Sequence, residues 1–106
     1  MATADVGLIE KANALLKLLR SNGIDVHEAW LFGSVVEDRQ DEASDIDVAV
    51  VSRDFLGMPF YDVKKVSKFR RAIDLRIEIH PFALADVQQE PSPFYLHIKE
   101  KGVQLE

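Results

Sequence analysis

Two aspartates in a mostly apolar run are the residues best suited to chemistry. Asp45 and Asp47 begin the segment DIDVAVV, whose remaining residues are all apolar. Side chains alternate across a β-strand, so both carboxylates project from one face, and Ile46 and Val48 project from the other. Like charges held side by side repel each other unless a cation or a basic group lies between them. The pattern therefore indicates a bound ion.

A glycine and a serine precede this pair and suit contact with a phosphate. Gly33 and Ser34 directly follow the apolar run AWLF, which is typical of a buried strand ending in a tight turn. Glycine has no side chain to keep a phosphate away from the backbone. The Ser34 hydroxyl and amide can both donate hydrogen bonds to phosphate oxygens.

A third carboxylate comes from the segment IDLRIEIH, residues 73–80, whose unbroken alternation predicts a strand that ends at Pro81. Asp74 and Glu78 share one face of this predicted strand. Four residues along a strand span about 13 Å, so the two cannot bind the same ion, and each is a candidate. Arg76, on the same face, can either pair with Asp74 and lower the pKa of that carboxyl or reach a phosphate.

Neighbouring strands lie about 4.8 Å apart, so Asp45, Asp47 and Asp74 could bring oxygens within reach of one or two Mg²⁺ ions. Cysteine is absent, which excludes disulfides and thiolate sites and leaves oxygen as the main ligand type. The histidines at positions 27, 80 and 97 show no ligand spacing, so neither a metal-binding nor a general-base role is predicted for them.

The remaining patterns place helices around these strands. Apolar residues at helical spacing predict a first helix ending at Asn22-Gly23: Leu8, Ile9, Ala12, Leu16 and Leu19. An amphipathic helix is predicted over residues 61–72 and a short one over 83–89. A last helix is predicted from Ser92, as the cap, to Gly102. Together with strands over 29–32 and 46–51, these elements favour a half-exposed mixed sheet covered by helices.

Length and composition limit the class of protein. The 106 residues suit one domain, residues 1–106, and 47% apolar with 29% charged residues is a globular composition. Neither a membrane span nor a signal peptide is indicated, so a cytoplasmic location is the default expectation. The net charge of −5 argues against sequence-blind nucleic-acid binding.

Charge is divided along the chain. Six acids lie within eleven residues, and six basic residues lie in a later segment. The acids are Glu37, Asp38, Asp41, Glu42, Asp45 and Asp47, and the bases are Lys64, Lys65, Lys68, Arg70, Arg71 and Arg76.

These residues also resemble a known family. Gly33-Ser34, ten residues, and then Asp45-Ile46-Asp47 resemble the GSx10DxD motif of the minimal nucleotidyltransferases in the DNA polymerase beta-like superfamily. The flanking stretches LFGS and SDIDVAVVS are similar to the first two sheet strands of that family. The stretch Ile73-Asp74-Leu75-Arg76 is similar to the strand that carries its third carboxylate, so the resemblance favours Asp74 over Glu78.

The resemblance implies an α+β polymerase beta-like fold and Mg²⁺-dependent transfer of a nucleoside monophosphate, AMP from ATP being the expected case. It implies two Mg²⁺ ions held by the catalytic residues Asp45, Asp47 and Asp74, with Asp74 as the base. Gly33 and Ser34 would hold the triphosphate. Such an enzyme would have its metals stabilise charge at the α-phosphorus and on the departing pyrophosphate.

Small stand-alone members of the family are often antitoxins paired with a HEPN-type toxin, and some attach AMP to a tyrosine of that partner. The resemblance therefore implies a protein acceptor. Two alternatives stay open: a non-catalytic antitoxin that occludes its partner, and an aminoglycoside-type enzyme, for which this chain is short. Acceptor, base preference and oligomeric state are not fixed by the sequence, and a sheet edge or the C-terminal helix could support a homodimer.

Overall fold

The computed structural model of the protein describes residues 5–36 and 45–106. Four of the six acidic residues grouped in the sequence lie outside these two ranges: Glu37, Asp38, Asp41 and Glu42. In chain order the elements are α1 (Val6–Ser21), β1 (Glu28–Phe32), a 3₁₀ turn (Gly33–Val35), β2 (Ile46–Ser52), α2 (Pro59–Ile73), β3 (Ile77–Ala83), α3 (Leu84–Gln89), α4 (Pro93–Lys101) and β4 (Val103–Gln104). No helix within the described ranges is both long enough and apolar enough to cross a bilayer.

The strands form one mixed, open sheet in the order β3-β2-β1-β4. β1 runs antiparallel to both β2 and β4, whereas β2 and β3 are parallel. The predicted α+β class, with a mixed sheet flanked by helices, is confirmed.

One face of the sheet is packed against α1 and α2. α1 begins at Asp5, whose carboxylate accepts a hydrogen bond of 2.7 Å from the Gly7 amide, and it buries one apolar side. Burying a side chain of Leu, Ile or Val contributes roughly 1.5–3 kcal/mol relative to leaving it in water, so this face supplies most of the stabilising burial. Its fully buried members include Leu15, Leu16, Leu19, Leu31, Ile46, Val48, Val50 and Val66.

The other face of the sheet is only partly covered. Trp30, Phe32 and Ala49 form a second buried cluster with Ile98 of α4, and Phe82 packs against it. The part of this face formed by the first residues of β2 and β3 is not covered by α4 and is partly open to solvent. The exposed sheet surface predicted from the polar strand positions therefore exists, at the end of β2 that carries Asp47.

Hydrogen bonds at the N-terminal end of α4 cap the helix and join it to this face. The Ser92 hydroxyl accepts from the Tyr95 amide at 3.1 Å, as expected for an N-cap, and Pro93 occupies the first turn. The Tyr95 hydroxyl donates to the Glu28 carboxylate on β1, which also accepts from the Trp30 indole nitrogen at 3.2 Å. Burial, reinforced by the bond to Glu28, raises the pKa of the Tyr95 phenol above its ordinary value.

The predicted third strand is shifted in the structure. α2 continues through Ile73, Asp74 caps its C-terminus, and β3 begins only at Ile77. The Arg70 guanidinium donates to the carbonyls of Leu75 at 3.0 Å and Ile77 at 3.1 Å, which stabilises a turn where the alternation predicted extended chain. The predicted start at residue 73 is therefore wrong.

The predicted end of that strand at Pro81 is also wrong, because Pro81 lies inside β3 opposite Val50. β3 is an edge strand paired with β2 alone. A proline can occupy such a strand where its missing N–H would face away from the neighbour. The two-residue strand β4, which pairs with Trp30 and Leu31 of β1, was not predicted because it is too short to show a pattern.

Candidate active site

Asp47 and Glu78 are brought together by the pairing of β2 with β3. They are direct partners in the parallel register, and side chains two residues apart on a strand share a face, so His80 joins them. The His80 Nε2 atom lies 3.1 Å from Asp47 Oδ1 and 4.0 Å from Glu78 Oε2. Within the described ranges these three residues are the group whose potential ligand atoms all lie within 4.8 Å of one another.

These side chains differ in their access to water. Asp47 and His80 are largely covered, with 20% and 25% of their side-chain surface exposed, whereas Glu78 is 58% exposed. The site therefore has a sheltered side at Asp47 and an open side at Glu78, and a bound molecule would approach over Glu78.

Aromatic rings fix the orientation of the His80 side chain. Its imidazole meets the Phe32 ring edge-on, with ring centroids 4.9 Å apart, and the Phe94 ring at 5.9 Å. Phe32 comes from the end of β1 and Phe94 from the first turn of α4. Such contacts leave Nε2 directed at the carboxylates.

Gly33 is required at its position for two reasons. Its φ of +81° lies in the left-handed region that side chains disfavour. A Cβ atom added there would also overlap Oδ2 of Asp47, so that carboxylate would have to move. The 3₁₀ turn that contains Gly33 and the half-buried Ser34 therefore runs directly beside Asp47.

Asp45 lies one residue before β2 and is exposed. It lines an open groove of about 360 Å³ whose other walls come from α2 and the start of β3. The groove is lined by Asp45, Val63, Arg70, Leu75, Arg76, Ile77 and Glu78. Two carboxylates and two guanidinium groups thus border the same groove.

Asp74 lies elsewhere and is already engaged. Its Oδ2 accepts from Lys11 of α1 at 2.7 Å and from the Arg76 guanidinium at 3.0 Å, and its Oδ1 accepts from the Arg76 amide at 2.8 Å. Hydrogen bonds from Arg76 and then Lys11 hold the pKa of the Asp74 carboxyl well below its ordinary value. Of the two roles considered for Arg76, the structure shows the pairing with Asp74.

The expected meeting of three carboxylates is therefore only partly observed. Asp47 meets Glu78, the alternative third carboxylate, while Asp74 ties the end of α2 to α1. Asp74 is not on β3, because it caps the C-terminus of α2 and β3 begins three residues later. His80 is the residue that the sequence reasoning missed, although Glu78 and His80 at positions i and i+2 of one strand share a face.

Comparison with known proteins identifies the family. The family model described as "Polymerase beta, Nucleotidyltransferase" matches residues 13–105. The fold is similar to the crystal structure of a candidate nucleotidyltransferase from Sulfolobus solfataricus, with a TM-score of 0.66 and 19% identity over 93% of this chain and 79% of that one. No curated protein matches the chain. The structural likeness shows the shared fold, and the family match covers most of the sequence, so the protein belongs to the polymerase beta nucleotidyltransferase family.

Proposed function

We propose that the protein is a divalent-cation-dependent nucleotidyltransferase whose active site is built from Asp47 and Glu78, with Asp45 beside them. The observation that carries this proposal is the direct opposition of Asp47 and Glu78 on the open part of the sheet face. Family membership supports the reaction class. The proposed reaction moves a nucleoside monophosphate, AMP from ATP, onto a hydroxyl acceptor.

The donor set suits the cation that this reaction requires. Two carboxylates on adjacent strands offer hard oxygen ligands, and Mg²⁺ typically takes one or two carboxylates and completes its shell with water and phosphate oxygens. In this proposal Asp47, Glu78 and Asp45 are the ligands, and Glu78 takes the place first predicted for Asp74. A bound divalent cation would neutralise phosphate charge and stabilise the departing pyrophosphate.

Gly33 and Ser34 are proposed to contact the triphosphate. The absence of a side chain at Gly33 lets the turn pass directly against the Asp47 carboxylate, and the Ser34 hydroxyl and the turn amides can donate to phosphate oxygens. Asp45 and Glu78 border the groove between α2 and the start of β3. An acceptor hydroxyl in that groove would attack the α-phosphorus and pass its proton to the exposed Glu78 carboxylate as pyrophosphate leaves.

A protein acceptor fits the shape of the site. The groove beside Asp45 is open, and its volume of about 360 Å³ is at the low end for enclosing a drug-sized acceptor. A partner protein could instead present one side chain, such as a tyrosine, to it. A HEPN-type toxin is the partner proposed from the family resemblance, and ATP is the proposed donor.

An exposed apolar patch supports docking of a partner. It comprises Leu56, Met58, Phe60 and Tyr61, all more than half exposed, around the start of α2. Large apolar side chains grouped on a surface are typical of protein–protein contacts. A second copy of this chain is the alternative occupant, which would make the protein a homodimer.

The transfer reaction can be tested by the position of the label in ATP. Purified protein is incubated with a divalent cation, the proposed HEPN-type partner, and ATP labelled at either the α- or the γ-phosphorus. Nucleotidyl transfer predicts labelled partner from the α-label alone. Asp47→Asn should reduce this labelling at least about 100-fold, because it removes a charged ligand at nearly constant volume.

The matched control for Asp47→Asn is Glu100→Gln, which neutralises an exposed acid on α4 outside the site. This variant should label the partner at the wild-type rate. Unchanged labelling by a folded Asp47→Asn protein would contradict the proposed site.

The second candidate function is a non-catalytic antitoxin that occludes its partner. It is favoured by the position of the exposed apolar patch, which follows the C-terminal end of β2, whereas Asp47 lies near its N-terminal end. Docking there would not need the acidic site. If the Asp47→Asn variant and the wild type neutralise the toxicity of the partner equally in cells, occlusion is the mechanism. Loss of neutralisation with retained partner binding would assign protection to the transfer reaction.

A further inference from the structure

An imidazole nitrogen lies within the same group as the two proposed carboxylate ligands. We propose that Asp47, Glu78 and His80 form a mixed nitrogen–oxygen site that binds a first-row transition-metal ion, such as Mn²⁺, in preference to Mg²⁺. This inference rests on the proposed function for the presence of a cation at the site. It extends that proposal by naming the class of ion that the site prefers and the residue that causes the preference.

The spacing of the three side chains fits a single ion. Ligand bonds of about 2.1 Å in an octahedral shell separate adjacent donor atoms by roughly 3.0 Å and opposite donor atoms by roughly 4.2 Å. His80 Nε2 is 3.1 Å from Asp47 Oδ1, close to the adjacent spacing. It is 4.0 Å from Glu78 Oε2, which lies between the two spacings and nearer the opposite one. One ion could therefore contact all three with only small side-chain movements.

The imidazole is already oriented for such a contact. Nε2 points toward Asp47, and Phe32 and Phe94 hold the ring through edge contacts. A ligand whose rotamer is fixed beforehand loses little conformational entropy on binding, which strengthens its contribution. Asp47, Glu78 and His80 also come from two adjacent, hydrogen-bonded strands, so their relative positions are set by the sheet.

The type of donor determines which ion benefits. Mg²⁺ prefers oxygen ligands and gives up water reluctantly, so an imidazole contributes little to its binding. First-row transition ions accept imidazole nitrogen and carboxylate oxygen together. His80 should therefore increase the affinity for Mn²⁺ while leaving the affinity for Mg²⁺ nearly unchanged, and this difference distinguishes a ligand from a residue that only supports the fold.

The test measures metal binding directly, without nucleotide or partner. The affinity of the protein for Mn²⁺ is measured from the loss of the electron paramagnetic resonance signal of the free ion. Its affinity for Mg²⁺ is measured by competition with Mn²⁺. His80→Phe removes the nitrogen and keeps an aromatic ring between Phe32 and Phe94. It should weaken Mn²⁺ binding by at least about tenfold and change Mg²⁺ binding by less than about twofold. Equal loss for both ions, or no loss for either, would overturn the proposal.

A second measurement covers the case in which His80→Phe does not fold. Pulsed electron paramagnetic resonance of the wild-type Mn²⁺ complex should show hyperfine coupling to an imidazole nitrogen. His97→Gln, at an exposed position of α4, should retain that coupling. Absence of nitrogen coupling in the wild-type complex would overturn the proposal.

The outcomes also separate this inference from the proposed function. Nitrogen coupling in a protein that transfers no nucleotide would support the mixed site and contradict the enzyme. Metal-dependent transfer by a protein without nitrogen coupling would support the enzyme and contradict the role of His80.

Discussion

Asp47 on β2 lies directly opposite Glu78 on the parallel strand β3, and the two carboxylates share the face of the sheet that α4 leaves partly open. Their pairing follows from the register of the two strands. Since each strand also has an apolar face buried against α1 and α2, a shift of one residue would bury the carboxylates and expose the core. The hydrophobic core therefore fixes the geometry of the proposed site.

Gly33→Ala should damage both stability and activity. It places a side chain at a φ of +81° and into the Asp47 carboxylate. The backbone conformation alone costs about 1–2 kcal/mol, and displacement of Asp47 should reduce nucleotidyl transfer further. Gly23→Ala is a matched control, because Gly23 has a φ of +82° and nothing lies within 4 Å of an added Cβ. Chemical denaturation should show a smaller loss for Gly23→Ala, and its transfer rate should equal that of the wild type.

Asp74→Asn should lower the stability of the protein in a pH-dependent way. Its side chain is 12% exposed and is bonded to Lys11 and Arg76, so loss of the charge should cost about 1–3 kcal/mol at neutral pH. The pKa of Asp74 is lowered in the folded state, so its contribution is fully present above the ordinary value of about 3.8 and is lost as the pH falls below it.

Urea denaturation of Asp74→Asn and the wild type across this pH range tests that role. The difference in free energy of unfolding between them should be largest near pH 7 and should shrink below pH 4. A difference that does not change with pH would contradict the ionic role of Asp74.

Tyr95→Phe should destabilise the protein without affecting Asp47 or Glu78, the carboxylates of the proposed site. The variant removes the hydroxyl that donates to Glu28 and keeps the ring, which is almost fully buried. The expected loss is about 1 kcal/mol, which would lower the Tm by roughly 4–8 °C in a domain of this size. A calorimetric scan measures it. An unchanged Tm would show that the bond does not hold α4 on β1.

Much of the fold could be predicted because its elements carry strong local patterns. α1 shows a helical apolar stripe, and α4 has Ser92 as its cap and Pro93 in its first turn. The prediction was wrong at β3, where alternation from Ile73 onward suggested extended chain. Side-chain bonds from Arg70 to backbone carbonyls, which no local pattern reveals, close the turn there.

Part of the proposed site could be inferred from local patterns. The spacing of Asp45 and Asp47, and Gly33-Ser34 before them, indicate these residues as candidates. The choice between Asp74 and Glu78 depends on the register between β2 and β3, which are far apart in sequence. A strand that began at residue 73 would offer Asp74, whereas the observed β3 begins at Ile77 and places Glu78 opposite Asp47. His80 was missed because its partners become apparent only when β2 and β3 are paired.

The most direct test of the account is the rate of nucleotidyl transfer by Glu78→Gln and Asp74→Asn, measured with α-labelled ATP at a temperature at which both variants are folded. Glu78→Gln should lose at least about 100-fold in rate, because it removes a proposed metal ligand and base. Asp74→Asn should keep a rate within a few-fold of the wild type. Wild-type transfer by Glu78→Gln together with loss of transfer by Asp74→Asn would contradict the proposed site.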